Sequence, residues 1–212
     1  MTRSALEKAG IATRTDGISK RTRDIVVSPI KEIAILAAEI PGVIPFAWGI
    51  PFVETPPHIR EAVKKALDQD PLLGRYSPSA GLPPLKEAIA IRLQKKYAVR
   101  VDSKKELLVT AGAMEGLMDA IQSVVDPGDE VIITSPGFSS YTEQVRLAGG
   151  VPKYLPLDEN RGWSMKLDIL PKLITPKTKA VIFNSPSNPT GAIFSKQETD
   201  AIAEAVLKHN LI

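Results

Sequence analysis

The sequence predicts an α/β fold, in which a mostly parallel sheet carries helices on both faces. From residue 56 onward, short apolar runs alternate with segments whose apolar residues recur every three or four positions. Strict alternation of strands and helices implies right-handed crossovers and parallel strand pairing. Hydrophobic residues make up 43% of the 212 residues, which is enough to bury the core of such a fold.

The chain divides into three predicted regions. Residues 1–27 are polar and basic without an apolar core segment, so we expect a flexible N-terminal arm rather than a targeting peptide. Residues 28–55 are expected to form an N-terminal helix and a proline-rich connection, because the Ser28-Pro29 pair suits a helix start. Residues 56–212 form the main domain.

The elements of the main domain have recognisable boundaries. The first two helices are predicted to begin at the proline pairs Pro56-Pro57 and Pro83-Pro84. Further helices are predicted over 113–125, 141–148, 167–174 and 196–210. Strands are predicted over 106–110, 130–134, 151–155 and 179–184. The last helix begins with a capping box, in which Ser195 and Glu198 satisfy each other's backbone N–H groups.

Composition and charge exclude several classes of function. A net charge of +3 without an aromatic-rich basic patch predicts no nucleic-acid partner. Because the only histidines, His58 and His209, lie far apart, we expect neither a metal site nor a Ser-His-Asp triad. The absence of cysteine agrees with a reducing, cytoplasmic location. No apolar run approaches the roughly 20 residues of a membrane span, so no membrane partner is expected.

Small residues join a predicted strand to a predicted helix at Gly112, Ala113 and Met114. Backbone N–H groups at a helix N-terminus can bind a phosphate group, and these three residues are candidates for that role. A tight turn that needs glycine would explain the same pattern. The sequence contains neither a Walker A motif nor Gly-x-Gly-x-x-Gly, so nothing indicates a nucleotide.

Two further strand ends carry candidate binding residues. Phe138 follows the strand predicted over 130–134, and an exposed ring there could stack on a planar heterocycle, although the residue taken alone favours a core or loop-anchoring role. Asn188 follows the strand predicted over 179–184, and its amide could hydrogen-bond a ring oxygen, although asparagine before proline is also a common turn former. A phosphate cradle, an aromatic face and an amide together suit a planar, phosphorylated cofactor.

Three motifs resemble those of the class I and II aminotransferases, which are pyridoxal-phosphate-dependent enzymes of fold type I. They are Phe-Ala-Trp-Gly-Ile-Pro over 46–51, Tyr-Ser-Pro-Ser-Ala-Gly over 76–81 and Asn-Ser-Pro-Ser-Asn-Pro-Thr-Gly over 184–191. The resemblance extends from about residue 28 to residue 212. It implies that residues 56–212 are part of the large, cofactor-binding domain, and that the cofactor is pyridoxal 5'-phosphate.

The resemblance also implies a role for each matching residue. Gly112, Ala113 and Met114 would correspond to the phosphate-binding turn, Phe138 to the ring that stacks on the pyridine, and Asn188 to the partner of its phenolic oxygen. Gly49 would lie near the substrate carboxylate. Tyr76 would reach across a dimer interface to the neighbour's cofactor phosphate, which implies a homodimer.

Residues that the family uses for chemistry have no match in the sequence. These are an Asp at the pyridine nitrogen, a Tyr at the phenolic oxygen, the Schiff-base Lys and an Arg that binds the substrate carboxylate. The apolar pair Leu211-Ile212 is typical of the first residues of the strand that would carry the Asp. We therefore expect an incomplete chain, an N-terminal portion with no catalytic residue of its own and inactive alone. The lysines considered as substitutes lie on predicted polar helix faces, in turns or, for Lys179, at the wrong end of a strand.

Three functions remain open at this stage. The leading one is transfer of an amino group between an amino acid and a 2-oxo acid. A lyase or synthase of the same fold would use the same cofactor, since the unmatched part helps to decide which bond at the α-carbon breaks. A non-catalytic remnant or an effector-sensing domain would use the fold without catalysis.

Overall fold

The computed structural model describes residues 18–23, 25, 29–44, 46, 49 and 52–212, and it falls into two compact units. One, the sheet unit, comprises Ala120–Ile212 together with the described residues up to Glu32. The other, the helical unit, comprises Ile33–Asp119. Most of the predicted N-terminal arm lies outside the described residues. The boundaries predicted at residues 28 and 56 stay a prediction.

The secondary structure follows the predicted alternation of helices and strands. The helices of the described residues are α1 Lys20–Arg23, α2 Pro29–Ala38, α3 Pro57–Gln69, α4 Pro83–Tyr97, α5 Gly112–Val124, α6 Ser139–Leu147, α7 Leu170–Leu173 and α8 Lys196–His209, with one 3-10 turn at Glu159–Arg161. The strands are β1 Glu130–Ser135, β2 Val151–Asp158, β3 Ser164–Met165 and β4 Thr178–Ile182. The prolines that begin α3 and α4 sit where a helix needs no backbone N–H donor.

The sheet is mostly parallel, as the sequence predicts. Its strand order is β3-β2-β1-β4, and β1 pairs in parallel with both β2 and β4. Only β3, at one edge, runs antiparallel, through Leu157 opposite Met165. At β4, Ile212 donates its N–H to the Lys179 carbonyl at 3.0 Å and accepts from Val181 at 2.8 Å, a parallel type of bridge.

Strand β1 is the centre of the core. Val131 and Ile132 are fully buried and Ile133 is 2% exposed. Because successive side chains of a strand point to opposite faces, both faces of β1 are covered. On one face the core cluster consists of Ile132, Leu155, Leu157, Met165, Leu170, Phe194 and Ile202.

Gly150 shows how closely two valines, one on α6 and one just after α5, approach the start of β2. A Cβ atom at Gly150 would lie 2.8 Å from Val125 and 3.0 Å from Val145, both of which are buried. Val145 belongs to α6, and Val125 directly follows α5. Only glycine therefore fits between these side chains, and the α6–β2 connection packs without a gap.

A polar cluster closes the amino end of the sheet. The Thr175 hydroxyl donates to the buried Glu130 carboxylate at 2.6 Å, and Lys153 lies 3.2 Å from its other oxygen. The Thr175 hydrogen bond lowers the pKa of Glu130 below its ordinary value, with Lys153 and Thr178 acting the same way and burial opposing them. The cluster thus keeps a charged carboxylate at the edge of the core.

The strand predicted over 106–110 is wrong. Residues 107–110 belong to no helix or strand, and within the described chain no strand pairs with them. The Val109 N–H donates instead to the Ala80 carbonyl at 3.2 Å. An apolar run without a partner strand leaves its backbone groups to other partners, so it does not become a strand.

Candidate functional site

Parallel pairing places the carboxyl ends of β1 and β4 side by side. Ile133 of β1 is in register with Ile182 of β4, and both strands run in the same direction. The loops that follow them therefore leave from one edge of the sheet, which is where open α/β folds bind ligands. Phe138 lies on the first loop and Asn188 on the second, so the fold brings these two predicted site segments to the same edge.

The loop after β1 turns tightly before Phe138. The Ser135-Pro136 peptide bond is cis, and a Cβ atom at Gly137 would collide with the Thr134 carbonyl oxygen, so only glycine fits there. The half-buried Phe138 ring meets the Tyr141 ring edge to face, with centroids 5.4 Å apart. Contact with Tyr141 fixes the ring next to the start of α6.

A small cavity lies at this end of β1. It has a volume of about 210 Å³ and is lined by residues 133–138 with Thr142 and Tyr154. The Thr142 and Tyr154 hydroxyls are 3.3 Å apart across it. Pockets for drug-sized ligands usually measure roughly 300–1,000 Å³, so this cavity is smaller than a complete cofactor pocket.

The loop after β4 is held by its own hydrogen bonds. The Ser187 N–H donates to the Ala192 carbonyl at 2.8 Å, and Gly191 donates back to the Ser187 carbonyl at 2.7 Å. The Phe194 N–H donates to the Ser185 hydroxyl at 3.1 Å. The Ser185-Pro186 and Asn188-Pro189 peptide bonds are both cis. These contacts give the loop a defined backbone and leave few of its polar groups unpaired.

The two asparagines of this loop differ in what their amides do. Asn184 donates from its side chain to the Pro186 carbonyl at 2.9 Å and accepts from the Asn188 N–H at 3.4 Å. The Asn188 side chain is exposed and makes no hydrogen bond within the described residues. Asn184 therefore shapes the loop, whereas the Asn188 amide is available for a ligand.

The predicted phosphate turn begins a helix, as expected. Gly112 is the first residue of the 13-residue helix α5, has φ +78°, and has no other described residue within 4 Å of the position of an added Cβ. Gly112, Ala113 and Met114 are all exposed. The start of α5 is thus exposed on the side that glycine leaves free, while the Gly112 N–H itself donates to the Thr110 carbonyl at 2.8 Å.

A carboxylate already lies at this helix start. Glu115 accepts a hydrogen bond from the Ala111 N–H, and the Thr110 hydroxyl donates to the Gly112 carbonyl at 3.0 Å. An acidic side chain in the first turn interacts favourably with the helix dipole. The same field attracts a phosphate group, although the Glu115 charge would oppose part of that attraction.

The remaining predicted residues also belong to the helical unit. Tyr76 is fully exposed, and Gly49 is exposed with no described residue within 4 Å of an added Cβ. Ala47, Trp48, Ile50 and Pro51, which surround Gly49, lie outside the described residues. The sheet unit thus holds Phe138 and Asn188, while the helical unit holds the other candidates.

One lysine that the sequence analysis missed is buried. Lys86 of α4 is 6% exposed and donates to the Lys104 carbonyl at 3.3 Å. The sequence feature that could have indicated its burial is its place in the first turn of α4, close to the apolar Leu82 and Leu85. Because it ties α4 to the turn at 102–106 and does not lie at a strand end, its role is structural. The lysines considered as substitutes from the sequence are exposed.

A buried carboxylate links β3 to the start of α8. Glu198 accepts from the Met165 N–H at 2.6 Å, and from the N–H and hydroxyl of Ser195 at 2.7 and 2.6 Å. The predicted capping box is present, but its bond to β3 was not foreseen. Burial, the largest single influence, raises the pKa of Glu198, but these hydrogen bonds and the nearby Arg161 outweigh it and hold the pKa below its ordinary value.

Within the described residues, no three His, Asp or Glu side chains are placed to hold a metal ion together. None of the helices of the described part is long and apolar enough to cross a membrane.

The fold and these segments define the class of protein. The aminotransferase class I and II family matches residues 41–212, and the chain belongs to that family. Enzymes of this family depend on pyridoxal phosphate, so the cofactor expected from the sequence is confirmed. The mostly parallel α/β fold expected from the sequence is confirmed as well.

Particular relatives show how much of the family fold is present. The chain is 40% identical over 185 residues to the aspartate aminotransferase of Pyrococcus abyssi, covering 87% of this chain and 47% of that protein. It is 36% identical over 195 residues to aromatic-amino-acid aminotransferase 2 of Thermococcus litoralis, covering 92% and 50%. A solved structure of a Thermus thermophilus aspartate aminotransferase mutant superposes with a TM-score of 0.84 at 35% identity, covering 92% and 51%. The chain spans about half the length of the relatives it matches.

Proposed function

We propose that this chain is the amino-terminal portion of an enzyme that transfers an amino group between an amino acid and a 2-oxo acid. The observation that carries the proposal is the parallel register of β1 and β4, which brings the Phe138 and Asn188 loops to one edge of the sheet. Family membership supports amino-group transfer over the lyase and synthase alternatives. Relatives named for aspartate and for aromatic amino acids support only the broad substrate class.

The described residues fit pyridoxal phosphate as a ligand. In the proposed site, the turn at Gly112, Ala113 and Met114 binds the phosphate at the start of α5, where the Gly112 N–H exchanges its present bond to the Thr110 carbonyl for one to the phosphate. Phe138 packs on the pyridine face, and the Asn188 amide donates to the phenolic oxygen. When bound, pyridoxal phosphate supplies an electron sink for the substrate's α-carbon.

Two further residues have proposed roles at the same site. Gly49 lies beside the substrate carboxylate. The exposed Tyr76 side chain reaches the cofactor phosphate of a second copy, which makes the complete protein a homodimer. A cytoplasmic location also stays a prediction.

Phosphate binding at the start of α5 predicts that a bulkier side chain there weakens cofactor binding. Changing Ala113 to isoleucine places a β-branched side chain beside the phosphate, and we expect the dissociation constant for pyridoxal phosphate to rise at least tenfold, about 1.4 kcal/mol. The measurement is equilibrium dialysis of the cofactor against purified protein.

The matched control is Ala120→Ile, the same substitution at another exposed position of α5. It carries the same loss of helix propensity and is expected to leave cofactor affinity unchanged. Equal affinities in the two variants, with helix content preserved, would remove Gly112–Met114 from the proposed site.

The proposed function also predicts what the 212 residues do alone. No residue among them matches the lysine that holds the cofactor covalently, and such a lysine also moves a proton during transfer. We expect the purified 212-residue chain to bind pyridoxal phosphate only reversibly and to show no measurable amino-group transfer. Borohydride reduction followed by peptide mass spectrometry should find only scattered, substoichiometric lysine labelling. A single lysine labelled stoichiometrically, together with turnover, would refute this prediction.

A further inference from the structure

Gly81 makes a very close backbone approach within the helical unit. A Cβ atom at Gly81 would lie 2.5 Å from Val109 Cγ2 and 2.7 Å from Val109 Cβ. Real Cβ atoms essentially never approach other atoms so closely, so any side chain at this position must displace residue 109. Gly81 therefore allows the segment 80–81 to pass directly against the segment that leads into α5.

Hydrogen bonds hold the two segments in this contact. The Val109 N–H donates to the Ala80 carbonyl at 3.2 Å, and the Gly81 N–H closes a turn by donating to the Pro78 carbonyl at 2.9 Å. Val109 has no ladder of strand bonds within the described residues, so this contact with 80–81 is what fixes it.

Val109 lies three residues before Gly112, and the intervening backbone is also fixed. The Gly112 N–H donates to the Thr110 carbonyl at 2.8 Å, and the Thr110 hydroxyl donates to the Gly112 carbonyl at 3.0 Å. A Cβ atom at Gly116 would lie 3.0 Å from the Thr110 hydroxyl oxygen, so the first turns of α5 pack tightly over Thr110. A shift of residue 109 is therefore passed on to the start of α5.

We propose that Gly81 is a positioning residue for the phosphate-binding turn at Gly112–Met114. It acts through Val109: the missing side chain lets 80–81 hold residue 109, and residue 109 sets where the α5 N–H groups point. The inference rests on the proposed function, since it needs the phosphate to bind at α5, and it adds a residue that does not itself touch the ligand.

The test compares two glycines with similar positive φ angles. Gly81 has φ +101° and Gly74 has φ +91°, but an added Cβ at Gly74 has no described residue within 4 Å. Alanine is strained at either position because φ is positive, and only alanine at position 81 collides with Val109. The readout is the ratio of dissociation constants for pyridoxal and pyridoxal phosphate, measured on the purified chain, because this ratio isolates binding of the phosphate.

We expect Gly81→Ala to reduce this phosphate preference at least fivefold and Gly74→Ala to leave it unchanged. The double variant Gly81→Ala with Val109→Gly removes the colliding atoms and should restore the preference, even where both changes lower stability. An unchanged preference in Gly81→Ala, or no recovery in the double variant, would overturn the inference. A wild-type chain without any preference for pyridoxal phosphate would instead contradict the proposed phosphate site itself, and the inference with it.

Discussion

Replacing Ile132 with alanine is expected to lower the free energy of unfolding by about 3 kcal/mol. Ile132 is fully buried at the centre of β1 and belongs to the core cluster shared with Leu155 and Ile202. The substitution removes three carbon atoms from a site where strands and helices are both fixed, so the surrounding residues cannot close the cavity fully.

The measurement is urea denaturation followed by far-ultraviolet circular dichroism. Ile193→Ala is the matched control, because Ile193 lies in the loop before α8 and is 78% exposed. We expect the control to change the free energy of unfolding by less than about 0.5 kcal/mol. Equal effects of the two substitutions would show that β1 is not the centre of the core.

Replacing Glu198 with glutamine is expected to cost about 2 kcal/mol of stability at neutral pH. Both carboxylate oxygens act as acceptors, one for Met165 and the other for two groups of Ser195. Glutamine has one acceptor oxygen, so its NH₂ group must face a donor on one side. The link between β3 and α8 and the cap of α8 cannot then both be satisfied.

The cost should depend on pH in a defined direction. The pKa of Glu198 is below its ordinary value of 4.5 in the folded chain, so the carboxylate contributes stability that is present above the unfolded pKa. That contribution is lost as the pH falls through the folded pKa. The stability difference between wild type and Glu198→Gln is therefore expected to be constant above about pH 5 and to shrink as the solution is acidified further.

Glu204→Gln provides the comparison, since Glu204 lies on the same helix and is exposed. It is expected to change stability by less than about 0.5 kcal/mol at any pH. A Glu198→Gln effect that persists undiminished into acid would mean that the carboxylate charge is not what holds β3 to α8.

Local signals in the sequence predicted most of the fold. Prolines at 57 and 83 and the Ser195–Glu198 capping box each specify a helix start through groups within a few residues of one another. The buried strands β1 and β4 were predictable because apolar runs bounded by turns have few alternatives in an alternating chain. Such features depend on neighbours in sequence, which a single chain displays directly.

Features that depend on distant partners were not predictable. The run 106–110 has strand composition, but pairing needs a neighbouring ladder, and none is formed within the described residues. Strand β3 has only two residues and follows Trp163, which has φ +65°, so it is too short for an alternating hydrophobic pattern to predict it. The Met165–Glu198 bond spans 33 positions, and nothing local to either residue indicates it.

The candidate site likewise combines features that the sequence predicted with features that depend on the fold. The sequence placed Phe138 and Asn188 after two strands, and parallel pairing then decided that both loops share an edge. It also indicated Asn188 rather than Asn184, and the folded loop supplies a physical reason, because the Asn184 amide is already engaged with Pro186 and the Asn188 amide is not. The roles of Gly112–Met114, Tyr76 and Gly49 stay predictions.

No residue of β1 or β4 is among the residues proposed to bind the cofactor. Val131, Ile132 and Ile133 fill the interior, while Phe138 and Asn188 lie beyond the strand ends, where substitutions leave the interior intact. Over evolutionary time the loop residues can therefore be exchanged one by one without eroding the framework that carries them. Descendants of one such scaffold can diverge in the amino acids they accept while their interiors stay recognisably alike.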